Sequence, residues 1–254
     1  MRRPAAFRVF ALTTIFLGSL LPLHAIAAKP ATGPAAQVEV FVIGTLYRRH
    51  EQVPAYGTDV LRKMIVAVEP DVLVLDVTPE ELANKKVHAS KIEYPQVIFP
   101  LAESGRYAVY AAEPAKPMFD EITQGIGKAM KELAEKKPEV DQALKAQSDA
   151  TYTALKLHWT SPAKAHDAVT ATATSSKIRL RGALVGPVME SGDARWDQHT
   201  ADVALRAAQE HPGKRILVLT GIENRPFVSA NLARAGSVKM IDMEAWLQAN
   251  GFGN

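Results

Sequence analysis

Two apolar runs, one early and one late in the chain, each stop at a glycine and hand over to polar side chains. Val38-Glu39-Val40-Phe41-Val42-Ile43 leads into Gly44-Thr45-Leu46-Tyr47-Arg48-Arg49-His50-Glu51. Arg215-Ile216-Leu217-Val218-Leu219-Thr220 leads into Gly221-Ile222-Glu223-Asn224-Arg225-Pro226. Near-continuous apolar runs of this length read as strands buried on both faces, as in parallel sheets. In open α/β sheets, ligands bind outside the carboxyl ends of the strands. Two such ends, from opposite halves of one chain, predict a shared site.

The rest of the pattern supports an α/β fold. Tyr56–Val68 carries Val60, Leu61, Met64, Ile65 and Val68 at helical spacing, and Val72–Val77 is a second apolar strand closing near Asp76. Strand, helix and strand in this order predict a parallel pair, with the Asp76 strand beside the first. Thr78-Pro79-Glu80-Glu81 is a helix start: a threonine cap, proline at the first position and acids in the first turn. A short strand over Arg106–Ala111 runs into Glu113-Pro114. From Phe119 to Ala150 the chain turns to Lys, Glu, Ala and Gln, with apolar residues spaced for amphipathic helices. These faces are too thin to fold alone. Residues from about 115 to 190 therefore read as a helical insertion in one domain over 38–254. A helix over Ala194–Gln209, a strand over Ile216–Leu219 and a closing helix, short strand and helix complete the rhythm. The expected architecture is a mixed or mostly parallel sheet flanked by helices.

The N-terminus reads as a separate, removable segment. Arg2, Arg3 and Arg8 precede an apolar stretch to Leu23, and Ala25-Ile26-Ala27 is a small-x-small cleavage site. This is the pattern of a secretory signal peptide over 1–27, with a flexible leader over 28–37. The apolar core is shorter than the ~20 residues that span a bilayer, so no stable membrane insertion is expected and the protein is placed in the periplasm or outside the cell. Cleavage also changes the charge argument. The chain has 30 basic and 27 acidic residues, and removal of three arginines leaves 27 of each. No basic stripe remains to argue for nucleic acid. Zero cysteines exclude disulfides, thiol nucleophiles and thiolate metal sites. G-x-S-x-G, P-loop and G-x-G-x-x-G patterns are all lacking, which argues against an α/β-hydrolase, an NTPase and a dinucleotide enzyme.

The candidate chemistry lies at the strand ends. After the first strand, Tyr47, Arg48, Arg49 and His50 offer an acid/base or metal ligand in His50 and anion contacts from the arginines. The bland alternative is a solvated charged loop. Asp76 can bind a cation or orient a base. Glu113 is a third strand-end carboxylate, or a turn residue before proline. Glu223 and Asn224 mirror the first cluster, although Asn224 also fits a helix N-cap. Asp193, Arg195, Asp197 and His199 fall at an expected helix start, where acids suit the helix dipole and Arg195 could clamp an anion.

The order and spacing of four segments resemble the TraB/TIKI (GumN-like) family, within the wider erythromycin-esterase/ChaN-like superfamily. The segments are Val42-Ile43-Gly44-Thr45-Leu46-Tyr47, Glu69–Asp76, Arg195-Trp196-Asp197, and Lys214–Leu219 followed by Gly221-Ile222-Glu223-Asn224 and a helix ending Leu232-Ala233-Arg234-Ala235-Gly236. The resemblance implies a divalent-metal hydrolytic site acting on a peptide or ester bond. The family's two G-x-x-H histidines fall on Tyr47 and Asn224 here, and its acid on Asp76. His50, three residues after Tyr47, is the candidate substitute ligand. The leading expectation is a metal-assisted hydrolase with a divergent site. His50 and Asp76 would hold a divalent metal ion, Arg195 would complete the catalytic set, and Tyr47, Arg48, Glu113, Glu223 and Asn224 would bind substrate. The alternative is a catalytically degenerate periplasmic protein that binds a small molecule or peptide. A third reading, an accessory structural protein, requires no convergent polar pocket.

Overall fold

The computed structural model describes residues 37–253. The expected signal segment and nearly all of the leader lie outside them. In chain order the elements are β1 (Glu39–Thr45), α1 (Thr58–Val68), β2 (Val72–Leu75), α2 (Pro79–Asn84), α3 (Phe99–Ala102), β3 (Ala108–Ala111), α4 (Met118–Lys136), α5 (Pro138–His158), α6 (Pro162–Ala165), α7 (Ala168–Val185), α8 (Pro187–Glu210), β4 (Arg215–Gly221), α9 (Arg225–Ala235), β5 (Lys239–Met240) and α10 (Met243–Ala249). Among the described residues no helix is long and apolar enough to cross a membrane.

The five strands form one sheet in the order β3-β2-β4-β1-β5. Every pair is parallel, so all carboxyl ends emerge on one edge. The expected neighbours β1 and β2 are not adjacent, because β4 lies between them and pairs with both. The physical reason is burial. β4 is buried from Ile216 to Gly221, as an interior strand must be, whereas β3 is only partly buried and β5 has two residues. Short or half-exposed strands belong at edges.

Strand periodicity sorts the side chains onto two faces. Phe41, Ile43, Leu73, Leu75, Leu217 and Leu219 enter one core cluster, with Leu61, Met64 and Ile65 of α1, the Tyr94–Phe99 turn and Leu247 of α10. Val40, Val42, Val72, Val74, Ile216 and Val218 enter the other, against Ala201, Ala204 and Ala207 of α8 and Val228 and Leu232 of α9. Both faces are covered, which explains why the strands read as apolar throughout.

The expected helical insertion over about 115–190 and the expected helix over Ala194–Gln209 form one continuous helical stretch between β3 and β4. It runs from α4 to the end of α8, which alone has 24 residues. Its last turns are the layer that covers the sheet. α8 also begins earlier than expected, at Pro187, where Gly186 at φ 109° ends α7 and the proline supplies a helical first position. Asp193 and Asp197 therefore sit inside the helix, not at its dipole end. The expected α2 start is present as a capping box: Thr78 accepts from the Glu81 N–H and Glu81 accepts from the Thr78 N–H.

Candidate functional site

The strand ends converge on one cavity. β1 and β4 run in register with Gly44 opposite Thr220 and Thr45 opposite Gly221, which sets the two glycine-terminated ends side by side. A cavity of about 400 Å³ opens over them. Its floor is made by Tyr47, Asp76, Glu113, Glu223 and Asn224. Its walls come from helices. Ile122 and Ile126 project one turn apart from α4, and Asp193 and Asp197 one turn apart from α8. Ile178 and Arg181 of α7 and Phe227 of α9 complete the walls.

Tyr47 adopts a left-handed backbone, φ 53°. Such a conformation is unfavourable for a side chain bearing Cβ, and it is found where structure over-determines it, often at functional sites. It turns the phenol back over β4, where the hydroxyl donates to Asp76 Oδ2 at 2.6 Å. Gly221 makes room: a Cβ there would lie 2.5 Å from the Tyr47 hydroxyl and 3.2 Å from Asn224 Oδ1. Asn224 occupies the N-cap position of α9 but makes no capping bond. Its amide instead donates to Asp197 Oδ1 at 2.8 Å. Two hydrogen-bonded pairs, Tyr47–Asp76 and Asn224–Asp197, thus flank Gly221.

Behind Asp76 stands a residue that the sequence did not single out. Lys91, in the segment between α2 and α3, places Nζ 2.5 Å from Glu113 Oε1, 2.5 Å from the Asp76 carbonyl oxygen and 3.5 Å from Asp76 Oδ2. All three side chains are nearly excluded from solvent. Burial alone would lower the Lys91 pKa, but Asp76 and Glu113 outweigh it and hold the ammonium charged. Burial and the neighbouring Asp76 charge raise the Glu113 carboxyl, and Lys91 opposes them. No local pattern marks Lys91; it follows His88-Ala89-Ser90 in an irregular segment.

Glu223 forms a second charged pair. Its carboxylate accepts from the Tyr152 hydroxyl and lies 2.9 Å from Lys177 Nζ. The Arg49 guanidinium sits 3.5 Å from the Tyr152 ring centroid, within cation–π range. Burial pushes Glu223 up to about 7 and Lys177 down to about 8. The close contact between them favours the charged form of both. Asp197 is only 3% exposed, and burial raises it to about 7. Sequence reading took it for a dipole acid; the signal that distinguishes it is its four-residue spacing from Asp193 within a longer helix.

Three expected site residues lie elsewhere. His50 is buried below the β1 exit with both ring nitrogens engaged: Nε2 accepts from the Leu46 N–H at 3.0 Å and Nδ1 donates to the Tyr56 carbonyl at 2.6 Å. It has no free nitrogen for a metal or a proton in transit. Burial lowers its pKa to about 4. Arg48 is exposed and does not line the cavity. Arg195 is turned outward by helical phase. Trp196 and Asp197 face the cavity, while Arg195 pairs with Glu121 at 2.9 Å on the surface.

The divalent metal implied by the TraB/TIKI resemblance finds no matching donor set. Among the described residues no group of three or more His, Asp or Glu side chains is arranged to hold a metal ion. Asp76 is already bound by Tyr47, and a fixed ammonium joins it to Glu113. The fold and site define an α/β protein with a half-open pocket at the strand ends, lined by both polar and apolar side chains. No family model, curated protein or solved structure matches the chain.

Proposed function

We propose that this chain is an exported binding protein on a TraB/TIKI-like framework, whose strand-end pocket holds a small molecule or short peptide without hydrolysing it. The observation that carries the reading is the position of Lys91. A metal-assisted hydrolase needs carboxylates free to hold a divalent ion and activate water. Here the ammonium occupies that role internally, at 2.5 Å from Glu113 and 3.5 Å from Asp76. Tyr47 and Asn224, which replace imidazoles in the resemblance, serve as hydrogen-bonding groups. The cavity matches small-ligand sites in size and in setting polar groups against an apolar wall.

The test joins metal analysis to ligand screening. Protein purified without chelator is expected to contain no stoichiometric metal, and Mn²⁺, Zn²⁺ and Co²⁺ should leave its thermal unfolding unchanged. A thermal-shift screen of small molecules and short peptides is expected to yield hits that disappear in Gly127→Trp. Gly127 lines the cavity from α4, and a Cβ there meets nothing within 4 Å. Gly127 is exposed at the cavity edge, so an indole has room there to obstruct the opening while the helix stays intact. A stoichiometric metal that is lost in Asp76→Ala would reject this reading in favour of the hydrolase.

A further inference from the structure

The charges around the cavity do not balance: five carboxylates face three cations, and one of the carboxylates has no ion-pair partner. Five carboxylates line it: Asp76, Glu113, Asp193, Asp197 and Glu223. Lys91 serves Asp76 and Glu113. Arg181 pairs with Asp193 at 2.8 Å, and Lys177 with Glu223 at 2.9 Å. Asp197 has no ion-pair partner; the Arg181 charge acts on it only from a distance. Its Oδ1 accepts from the Asn224 amide, and among the described residues its Oδ2 has neither a hydrogen-bond nor an ion-pair partner. A carboxylate this buried, with one oxygen left open to the cavity, is a binding point for a positive charge.

We propose that the pocket is selective for a compact organic ammonium ion with an apolar body, and that the Asp197 carboxylate is its counter-ion. The proposal rests on the binding reading above and names the ligand class. The surroundings of Asp197 fit both halves of such a ligand. Trp196 and Phe227 line the same cavity, and aromatic faces attract ammonium groups. Ile122, Ile126 and Ile178 supply an aliphatic wall for the body. A second cavity of about 550 Å³ shares Ile178, Asp193, Asp197 and Phe227 with the first. An apolar tail anchored at Asp197 can therefore extend between α7, α8 and α9. An anionic ligand would meet the unpaired carboxylate directly, at a repulsive cost.

The test compares three probes of similar shape on the full chain by titration calorimetry: phenethylammonium, 2-phenylethanol and 3-phenylpropanoate. The ammonium is expected to bind at least tenfold more tightly than the alcohol, with no measurable binding of the carboxylate. Asp197→Asn keeps the acceptor for Asn224 and removes the charge. It should erase the tenfold preference by weakening ammonium binding at least tenfold, with circular dichroism confirming the fold. Equal or tighter binding of the alcohol or carboxylate overturns the cation selectivity and leaves the binding reading standing. The same holds for an ammonium preference that persists in Asp197→Asn. If no probe binds at millimolar concentration, and the broader thermal-shift screen also yields no hit sensitive to Gly127→Trp, both the selectivity and the binding reading fail.

Discussion

Lys91 keeps two buried carboxylates from facing each other without a counter-charge. Removing one partner of such a group strands the others, whereas removing charge on both sides is far milder. Lys91→Met is therefore expected to destabilise the protein by ~3–5 kcal/mol. Adding Glu113→Gln should return a large part of that loss. Urea denaturation at pH 7 measures both. A Lys91→Met loss below ~1 kcal/mol, the size of a surface ion pair, would show that the ammonium does not hold the carboxylates in place. The same residue shows the limit of reading a site from sequence. Tyr47, Asp76, Glu113, Glu223 and Asn224 could be named because each follows an apolar strand, and strand ends are where parallel sheets present side chains. Lys91 follows no strand and belongs to no short motif. Only the folded path of its segment brings its ammonium to Asp76 and Glu113. Asp197 was visible as an acid but misplaced, since its meaning depends on where α8 begins.

At the scale of the element, the exit of β1 is held by two neutral imidazoles. His50 accepts from the Leu46 N–H, and His166 accepts from the Gly44 N–H at 3.1 Å. Tyr56 donates to the Gly44 carbonyl at 2.8 Å, so the backbone that launches Tyr47 is fixed from several sides. This is the structural role that replaces the ligand role expected of His50. The clamp has a pH signature. Burial lowers His50 from 6.5 to about 4 and His166 to about 3. Below pH 6.5 the unfolded chain takes up protons that the folded chain refuses, so stability is lost as pH falls. For His50 the loss runs from about pH 6.5 to about pH 4 and amounts to roughly 3 kcal/mol. His50→Gln can still accept from Leu46 and donate to Tyr56, but it does not titrate. Its stability, followed by urea titration at several pH values, should fall less steeply than wild type across that window, with the His166 contribution remaining. An unchanged slope would show that His50 titrates freely. Helical phase is the other lesson at this scale. A single step along the chain takes Arg195 on the surface to Trp196 at the cavity, and no charge pattern distinguishes them until the start of α8 is known.

At the scale of the molecule, the α/β class was readable because strands covered on both faces lose their polar alternation, whereas the sequence left a mixed sheet open and the sheet is wholly parallel. The order of the strands was not readable. β4 enters between β1 and β2 from more than a hundred residues downstream, and pairing across that distance leaves no local mark in the chain. The same topology ties the pocket to the core. α8 lines the cavity with Asp193 and Asp197, then covers the sheet with Ala204 and Ala207 a few turns later. α9 likewise contributes Phe227 to the pocket and Val228 to the core. A rigid helix that carries both surfaces cannot leave one without disturbing the other. Ligand binding should therefore stabilise the whole described unit and not a detachable helical lid. At a phenethylammonium concentration roughly a hundredfold above its Kd, the unfolding free energy should rise by ~2.7 kcal/mol. Far-UV circular dichroism, which follows all the helices, and tryptophan fluorescence, which follows Trp159, Trp196 and Trp246, should shift together to one higher urea midpoint. If fluorescence moves while the dichroism transition stays behind, the helices over the pocket unfold separately from the sheet, and α8 does not couple them.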